Sequence, residues 1–238
     1  MSSATAQSKN SDSVLSVQSL SAGYGDKKVV DSVSFDIQAG EIYGLIGLNG
    51  AGKTTLIKTI LGLREKFSGN IDVGGQEKIS YLPERFDPPW FLSGYDFIAF
   101  SLSLYGKKIT KDQARDAVAR VSLNPDFLDK RVNTYSKGMR QKLGLLATFL
   151  TQAPILILDE PMSGLDPRAR QEVKKIILET KQQGRSVFMS SHILADVEEL
   201  CDRVAVFHNQ SITFTGSPKQ LKEQGKSEDI EKAFLAML

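Results

Sequence analysis

The sequence predicts a single α/β domain with a mainly parallel sheet as its core. After residue 40, strand and helix patterns alternate repeatedly, and such βα units place parallel strands side by side with helices on the sheet faces. Before that point, short strands separated by turns predict an antiparallel β subdomain at the N-terminus. Helical spacing over residues 95–128 and again over 136–150 predicts an inserted helical subdomain at about residues 86–150.

The length and composition of the chain limit its domain count and the kinds of partner that it can bind. The 238 residues suit one large domain rather than two. The 30 basic and 28 acidic residues give a net charge of +2, so we expect no nucleic-acid partner. Cys201 is the only cysteine, which excludes an intramolecular disulfide and is ordinary for a reducing cytosol. No apolar run reaches the ~20 residues of a bilayer span, so we expect a cytoplasmic location.

The N-terminal part divides into a tail and a set of strands. Residues 1–13 are rich in serine and lack an apolar stretch, so we expect a disordered tail followed by one folded domain over residues 14–238. Alternating apolar and polar residues predict a strand at 14–20, and a turn follows at 23–26. Two further short strands are predicted at residues 29–30 and 33–37.

The rest of the chain shows the strand–helix alternation. Strands are predicted at residues 42–46, 71–73, 79–82, 155–158, 186–190, 204–207 and 212–215. Breakers are predicted at 67–70, 74–75 and 124–125, and a loop with two prolines at 87–91. Helices are predicted after residue 53, within 95–128 with Thr110 as an N-cap, and at 136–150, 168–183, 194–200 and 230–238.

A glycine-rich loop joins the strand at 42–46 to the following helix. Its spacing from Gly47 to Thr54 is G-x-x-x-x-G-K-[ST], which lets successive N–H groups point into one cavity at a helix N-terminus. The alternative is a glycine-rich turn with a surface lysine. We expect Lys53 to reach the β- and γ-phosphates of a nucleotide and Thr54 to bind Mg²⁺. The predicted phosphate contacts are Gly47, Asn49, Gly50, Ala51, Gly52, Lys53, Thr54 and Thr55.

Two carboxylates follow the buried strand at 155–158. Asp159 is expected at the carboxyl end of this strand, beside the phosphate loop, where α/β sheets place their ligands. There it would hold the metal, through water. Glu160 would orient or deprotonate the attacking water. The alternative is a strand that ends in an ordinary acidic turn.

Three further motifs follow in order: Tyr-Ser-Lys-Gly-Met-Arg-Gln at 135–141, Ser-Gly-Leu-Asp-Pro at 163–167, and Ser-His at 191–192. Together with the phosphate loop, they make the chain resemble an ATP-binding-cassette (ABC) transporter ATPase subunit from about residue 15 to residue 216. The resemblance implies a P-loop NTPase fold of ABC type, ATP and Mg²⁺ as cofactors, and ATP hydrolysis that drives transport through a separate membrane subunit.

The resemblance also implies roles for residues on both sides of a nucleotide. Tyr24 would stack on adenine; otherwise it is a turn tyrosine. Ser136, Gly138 and Met139, at a predicted helix N-terminus, would face the γ-phosphate bound by a second ATPase subunit. Because one chain carries motifs for both halves of a site, we expect a homodimer. The alternative is an N-cap serine without a ligand.

A histidine and a third acidic residue complete the implied site. His192 would contact the γ-phosphate near Glu160, although a lone histidine is more often structural. Glu84 stands where many family members carry a glutamine that senses Mg²⁺ and water. The implied catalytic residues are Lys53, Glu160 and His192, and the implied metal ligands are Thr54, Glu84 and Asp159.

Departures from the most common ABC family motifs favour one branch of that family. Lys137 and Met139 replace glycine and glutamine, and with Tyr-Leu-Pro-Glu at 81–84 this pattern resembles the ABC-2 type exporters. Residues 85–100, which include Pro88, Pro89, Trp90 and Phe91, would dock an integral membrane subunit at the cytoplasmic face; alternatively they fill the helical subdomain. Two rival functions are a soluble ABC ATPase in translation or DNA repair and a nucleotide-gated module without catalysis.

Overall fold

The computed structural model describes residues 13–74 and 78–238. The predicted tail lies outside the described residues except for Ser13, which begins the first strand. The second residue of the predicted turn at 74–75 also lies outside them. The described residues form nine strands: β1 Ser13–Tyr24, β2 Lys27–Gln38, β3 Ile42–Ile46, β4 Lys66–Val73, β5 Ile79–Leu82, β6 Ile155–Asp159, β7 Ser186–Ser191, β8 Arg203–His208 and β9 Ser211–Gly216.

The strands form two sheets. Three antiparallel strands make an N-terminal sheet in the order β2-β1-β4. Six strands make the central sheet in the order β5-β6-β7-β3-β8-β9, where every neighbouring pair is parallel except β8 and β9. This arrangement confirms the predicted parallel core with an antiparallel subdomain before it.

Eight α-helices occur in the described residues: α1 Lys53–Ile60, α2 Gly94–Ser103, α3 Lys111–Ala119, α4 Lys137–Leu150, α5 Pro167–Gln182, α6 Leu194–Leu200, α7 Pro218–Gln224 and α8 Ile230–Leu235. Helices α2, α3 and α4 lie between β5 and β6 and form the inserted helical subdomain. Thr110 is the N-cap of α3, as predicted, and its partner Gln113 completes a capping box. None of the helices in residues 13–74 and 78–238 has the length and apolar character of a membrane span.

The central sheet is buried on both faces because a hydrophobic cluster covers each one. Strand β3 shows the alternation: Ile42 and Ile46 pack into the cluster that contains α4, α5 and α6, whereas Tyr43 and Leu45 pack into the cluster that contains α1, β1 and β2. All five residues of β3 and all five of β6 are buried. The continuous apolar runs in these strands follow from this double burial.

Some boundaries differ from the predictions. The two short strands at 29–30 and 33–37 are one strand, β2, which accommodates Ser32 at φ 51° within an irregular register. The breaker at 67–70 is wrong, because these residues belong to β4. Gly69 has φ 96°, and a Cβ there would lie 2.5 Å from the carbonyl oxygen of Ser19, so the glycine permits close strand pairing rather than ending it. Helix α7 was not predicted.

Candidate nucleotide-binding site

The glycine-rich loop lies between β3 and α1, at the carboxyl edge of the central sheet. Gly50 and Gly52 have φ values of 78° and 117°, in the left-handed region that favours glycine. A Cβ on Gly47 would lie 2.5 Å from the carbonyl oxygen of Phe207. The loop conformation therefore depends on these glycines, and Gly52 stands directly before the first turn of α1.

Lys53 folds back over the loop. Its ammonium group donates to the carbonyl oxygens of Gly47 at 2.7 Å and Leu48 at 3.3 Å. It also lies 3.7 Å from Oε1 of Glu160, in a contact where both side chains are buried. A buried cation that is paired and hydrogen-bonded is held in place rather than free to sample solvent, so the positive charge is fixed inside the curl of the loop.

Thr54 and Asp159 meet across the site. The Thr54 hydroxyl donates to Oδ2 of Asp159 at 2.7 Å, and the Ser190 hydroxyl donates to Oδ1 at 2.5 Å. Ser190 also accepts from the backbone N–H of Glu160 at 2.9 Å. The role of Ser190 was not predicted, although a polar residue at the end of the apolar strand β7, next to the strand that carries Asp159, was a usable signal.

The donor atoms at this point suit a hard divalent cation. Hydroxyl and carboxylate oxygens are ligands that Mg²⁺ prefers, and Mg²⁺ commonly takes one or two protein ligands and completes its shell with water and phosphate oxygens. No cluster of three or more His, Cys, Asp or Glu side chains suited to a metal occurs in the part of the chain that the structure describes. Thr54 and Asp159 therefore fit a cation shared with a phosphate, not a metal held by protein ligands alone.

Glu160 joins the phosphate loop to the end of β7. Its Oε2 lies 2.7 Å from Nδ1 of His192, while its Oε1 faces Lys53. Glu160 has φ 51°, a left-handed conformation that is uncommon for a residue with a long side chain and that clusters at functional sites. The buried carboxylate is thus held on both sides, with the half-exposed His192 as its outer neighbour.

Most of the glycine-rich loop, together with Glu160 and His192, lines one cavity of about 640 Å³. Tyr24 lies at its edge with 53% of its surface exposed, and the hydrogen bond to Thr55 lowers the pKa of its phenol. Val29 and Ser163 also line the cavity and were not predicted. The full lining is Tyr24, Val29, Asn49, Gly50, Ala51, Gly52, Lys53, Thr54, Thr55, Glu84, Glu160, Ser163 and His192.

Five predicted residues do not line this cavity. Gly47 and Asp159 lie behind the lining, where they accept from Lys53 and Thr54, whereas Ser136, Gly138 and Met139 lie at the start of α4. Ser136 caps α4 and accepts from the backbone N–H of Met139 at 3.2 Å, and its side chain faces solvent. Gly138 lies in the first turn of the same helix, and a Cβ there would lie 3.9 Å from the carbonyl oxygen of Gly164, an ordinary van der Waals distance. This helix start is open to solvent, and its predicted contact with a nucleotide of a second subunit stays a prediction.

Comparison with known proteins identifies the family. The family described as ABC transporter matches residues 30–163, more than half of the chain. The chain belongs to the ABC transporter ATPase family. The lantibiotic transport ATP-binding protein SrtF of Streptococcus pyogenes is 35% identical over 231 residues, 93% of this ABC ATPase and 96% of SrtF. The ABC-type transporter ATP-binding protein EcsA of Bacillus subtilis (strain 168) is 33% identical over 229 residues, with 89% and 90% covered.

Solved structures give the same family and fold. An ATP-binding subunit of an ABC transporter superposes with a TM-score of 0.87 at 30% identity and covers 94% of this ABC ATPase and 99% of that chain. A dimeric ATP-binding cassette in a post-hydrolysis state with ADP and Pi superposes with a TM-score of 0.76 over 85% and 98%, and at 16% identity it shows the fold alone. The predicted family, fold class and ATPase activity are confirmed.

Proposed function

We propose that this ATPase works as a pair of copies that close around two Mg-ATP, hydrolyse them, and drive export through a separate membrane subunit. The observation that carries the proposal is the position of Glu160, whose carboxylate lies between Lys53 and His192 in the cavity of the phosphate loop. This is the arrangement expected of a group that orients or deprotonates water beside a terminal phosphate.

The nucleotide phosphates would bind to the N–H groups of the loop and to Lys53. Since the ammonium already lies inside the loop, it needs only to exchange carbonyl contacts for phosphate oxygens. Thr54 and Asp159 would hold Mg²⁺, with Glu84 accepting from its water shell. When bound, the cation neutralises charge on the β- and γ-phosphate oxygens.

Glu160 and His192 would act on the water and on the γ-phosphate. The Glu160 carboxylate would accept a proton from water once Lys53 has exchanged its contact with Glu160 for the phosphate oxygens, because the neighbouring ammonium otherwise makes the carboxylate a weaker base. His192 would hold the carboxylate through Nδ1 and offer its other ring nitrogen to a γ-phosphate oxygen. Removal of either group would therefore slow hydrolysis more than it weakens ATP binding.

A second copy would complete the site with the start of α4. No acidic residue lies in the first turn of this helix, where Lys137 and Arg140 add positive charge to the exposed N–H groups near Ser136 and Gly138. Such a helix start suits the γ-phosphate of a nucleotide bound by the partner. The dimeric cassette with ADP and Pi supports this pairing by analogy of fold.

Gly138→Asp tests the pairing. A Cβ at this position has room, so the variant should fold, but its carboxylate would repel the partner's γ-phosphate. We expect it to bind ATP as a monomer, without ATP-dependent dimerisation in light scattering and without hydrolysis. Lys53→Ala is the matched control that loses ATP binding itself. Wild-type hydrolysis by Gly138→Asp would contradict the pairing.

The membrane subunit would dock at residues 85–100. Trp90 and Phe91 form an edge-to-face pair with centroids 5.7 Å apart and are 64% and 58% exposed. They stand beside a cavity of about 360 Å³ lined by Asp87, Pro88, Pro89, Trp90, Val132, Asn133 and Arg140. An apolar helix end with a polar rim fits this surface. The docking would place the ATPase at the cytoplasmic face of the membrane.

Co-purification from native membranes tests the proposed docking to a membrane subunit against the rival function as a soluble ABC ATPase. We expect the wild-type chain to be recovered from detergent extracts with an integral membrane protein, and Trp90→Ala with Phe91→Ala to release it while the isolated ATPase keeps its turnover. Export is suggested by the relative named for lantibiotic transport, and the substrate range of the recovered complex tests it. Salt-sensitive recovery with ribosomes or DNA, without a membrane protein, would support the soluble rival instead.

A further inference from the structure

Tyr24 is a poor stacking platform by itself. It ends β1, and slightly more than half of its surface is exposed. A mobile side chain loses rotamer freedom when a ligand stacks on it, and that loss subtracts from affinity. The ring therefore contributes most to nucleotide binding if other residues hold it before the base arrives.

Arg64 holds the Tyr24 ring. Its guanidinium carbon lies 3.7 Å from the ring centroid, and its Nη1 donates to the carbonyl oxygen of Gly23 at 3.0 Å. Tyr24 lines the nucleotide cavity and Arg64 is not among its lining residues, so the guanidinium packs on the ring from outside the cavity.

The end of α1 directs Arg64 to this place. Gly62 has φ 69°, its N–H donates to the carbonyl oxygen of Thr59, and the N–H of Leu63 donates to that of Lys58. This pair of hydrogen bonds is a Schellman motif, in which a left-handed glycine turns the chain away from the helix axis. Arg64 leaves this turn and returns toward β1. One element thus begins at the phosphate loop and ends at the support of the aromatic ring.

We propose that Arg64 is a positioning residue for the nucleotide base. It fixes Tyr24 so that the ring face toward the cavity stacks on adenine, at a set distance from the phosphates because α1 carries both the loop and the arginine. Arg64 touches neither the phosphates nor the reacting atoms. The proposal rests on the proposed function, since it takes the cavity to be the ATP site.

Comparison of two ligands tests this role. Arg64→Ala should raise the Kd for ATP about two- to fivefold, as expected for loss of an exposed cation–π contact, and should leave the Kd for tripolyphosphate, which has no base, unchanged. In turnover, KM should rise while kcat stays. Arg64→Lys keeps the charge without the flat guanidinium and should show a smaller rise. Lys66→Ala removes a neighbouring exposed cation and should change neither Kd.

A double-mutant cycle separates the two proposals. In a Tyr24→Ala background, Arg64→Ala should have no further effect on ATP binding, because the ring that it positions is gone. Three results would each overturn the role of Arg64. Arg64→Ala could lose affinity for ATP and tripolyphosphate equally, the affinity losses of the two substitutions could add in the double mutant, or the Kd of Arg64→Ala for ATP could stay unchanged. If Tyr24→Ala itself leaves the ATP Kd unchanged, the assignment of the base site fails instead, and the two failures are distinguishable.

Discussion

Oε2 of Glu160 lies 2.7 Å from Nδ1 of His192, and Oε1 of the same carboxylate lies 3.7 Å from Nζ of Lys53. The three residues come from the end of β6, the end of β7 and the start of α1, which are brought together by the parallel pairing of the strands. The carboxylate cannot rotate without losing one of its partners. Catalysis that depends on this orientation should be sensitive to each partner.

His192→Ala should lower kcat about 100-fold, the scale expected when a catalytic group is displaced by about 1 Å, and should leave the Kd for ATP within about twofold. The cause is loss of the contact that holds Glu160. Steady-state phosphate release and equilibrium nucleotide binding measure the two effects. His208→Ala, at the end of β8, is the matched control and should keep full turnover. Equal kcat in both variants would contradict the role of His192.

Ser190→Ala should raise the Mg²⁺ concentration for half-maximal ATPase activity about tenfold, because outer hydrogen bonds tune metal affinity on that scale. The buried Asp159 would lose one of its two donors. Ser186→Ala is the control: this buried serine at the opposite end of β7 bonds Gly40 and Gln38. It should lower stability without changing the Mg²⁺ requirement. If the ATPase activity of Ser190→Ala depends on Mg²⁺ concentration in the same way as that of the wild type, the role of Ser190 is refuted.

Asp196→Ala should lower the free energy of unfolding by about 3 kcal/mol, the lower end of the range for breaking a buried ion pair. Asp196 is 1% exposed, and its carboxylate oxygens lie 2.6 Å from Nη2 of Arg170 and 2.9 Å from Nζ of Lys174. This cluster ties α5 to α6. Urea unfolding measures the change, and a loss below about 1 kcal/mol would show that the cluster contributes as little as a surface pair.

Tyr81→Phe should raise the free energy of unfolding by about 1 kcal/mol, since the hydroxyl is buried and has no hydrogen-bond partner within the described residues. Burial, with the nearby carboxylates of Asp159 and Glu84, raises the pKa of this phenol. Urea unfolding at neutral pH gives the comparison. A destabilised variant would indicate that the hydroxyl has a partner, such as a bound water.

The phosphate loop, Asp159 and the central strands could be predicted because their patterns are local. Glycines at Gly50 and Gly52 are required by backbone angles, and the apolar run of β6 is required by burial on both faces. Each can be inferred from a few neighbouring residues. The order of the motifs along the chain then indicates the ABC transporter ATPase family.

The features that could not be predicted depend on contacts between residues that lie far apart in the sequence. The sequence pattern predicts a strand breaker at Gly69, because the close approach of this glycine to β1 is invisible in the sequence. Ser190 was not assigned because its role arises from the pairing of β7 with β6. The stacking of Arg64 on Tyr24 joins residues 40 positions apart. Such relationships follow from sheet register and helix ends, which local patterns do not specify.

Glu160→Gln gives the most direct test of an ATPase made from two copies. It removes the base but keeps the shape, so we expect phosphate release to fall at least about 100-fold while one unhydrolysed ATP per chain is retained in an ATP-dependent dimer. Glu223→Gln, at an exposed position on α7, should behave as wild type. Light scattering with bound-nucleotide analysis provides the measurement. Wild-type phosphate release by Glu160→Gln, or retention of ATP by a monomer alone, would contradict the proposed mechanism.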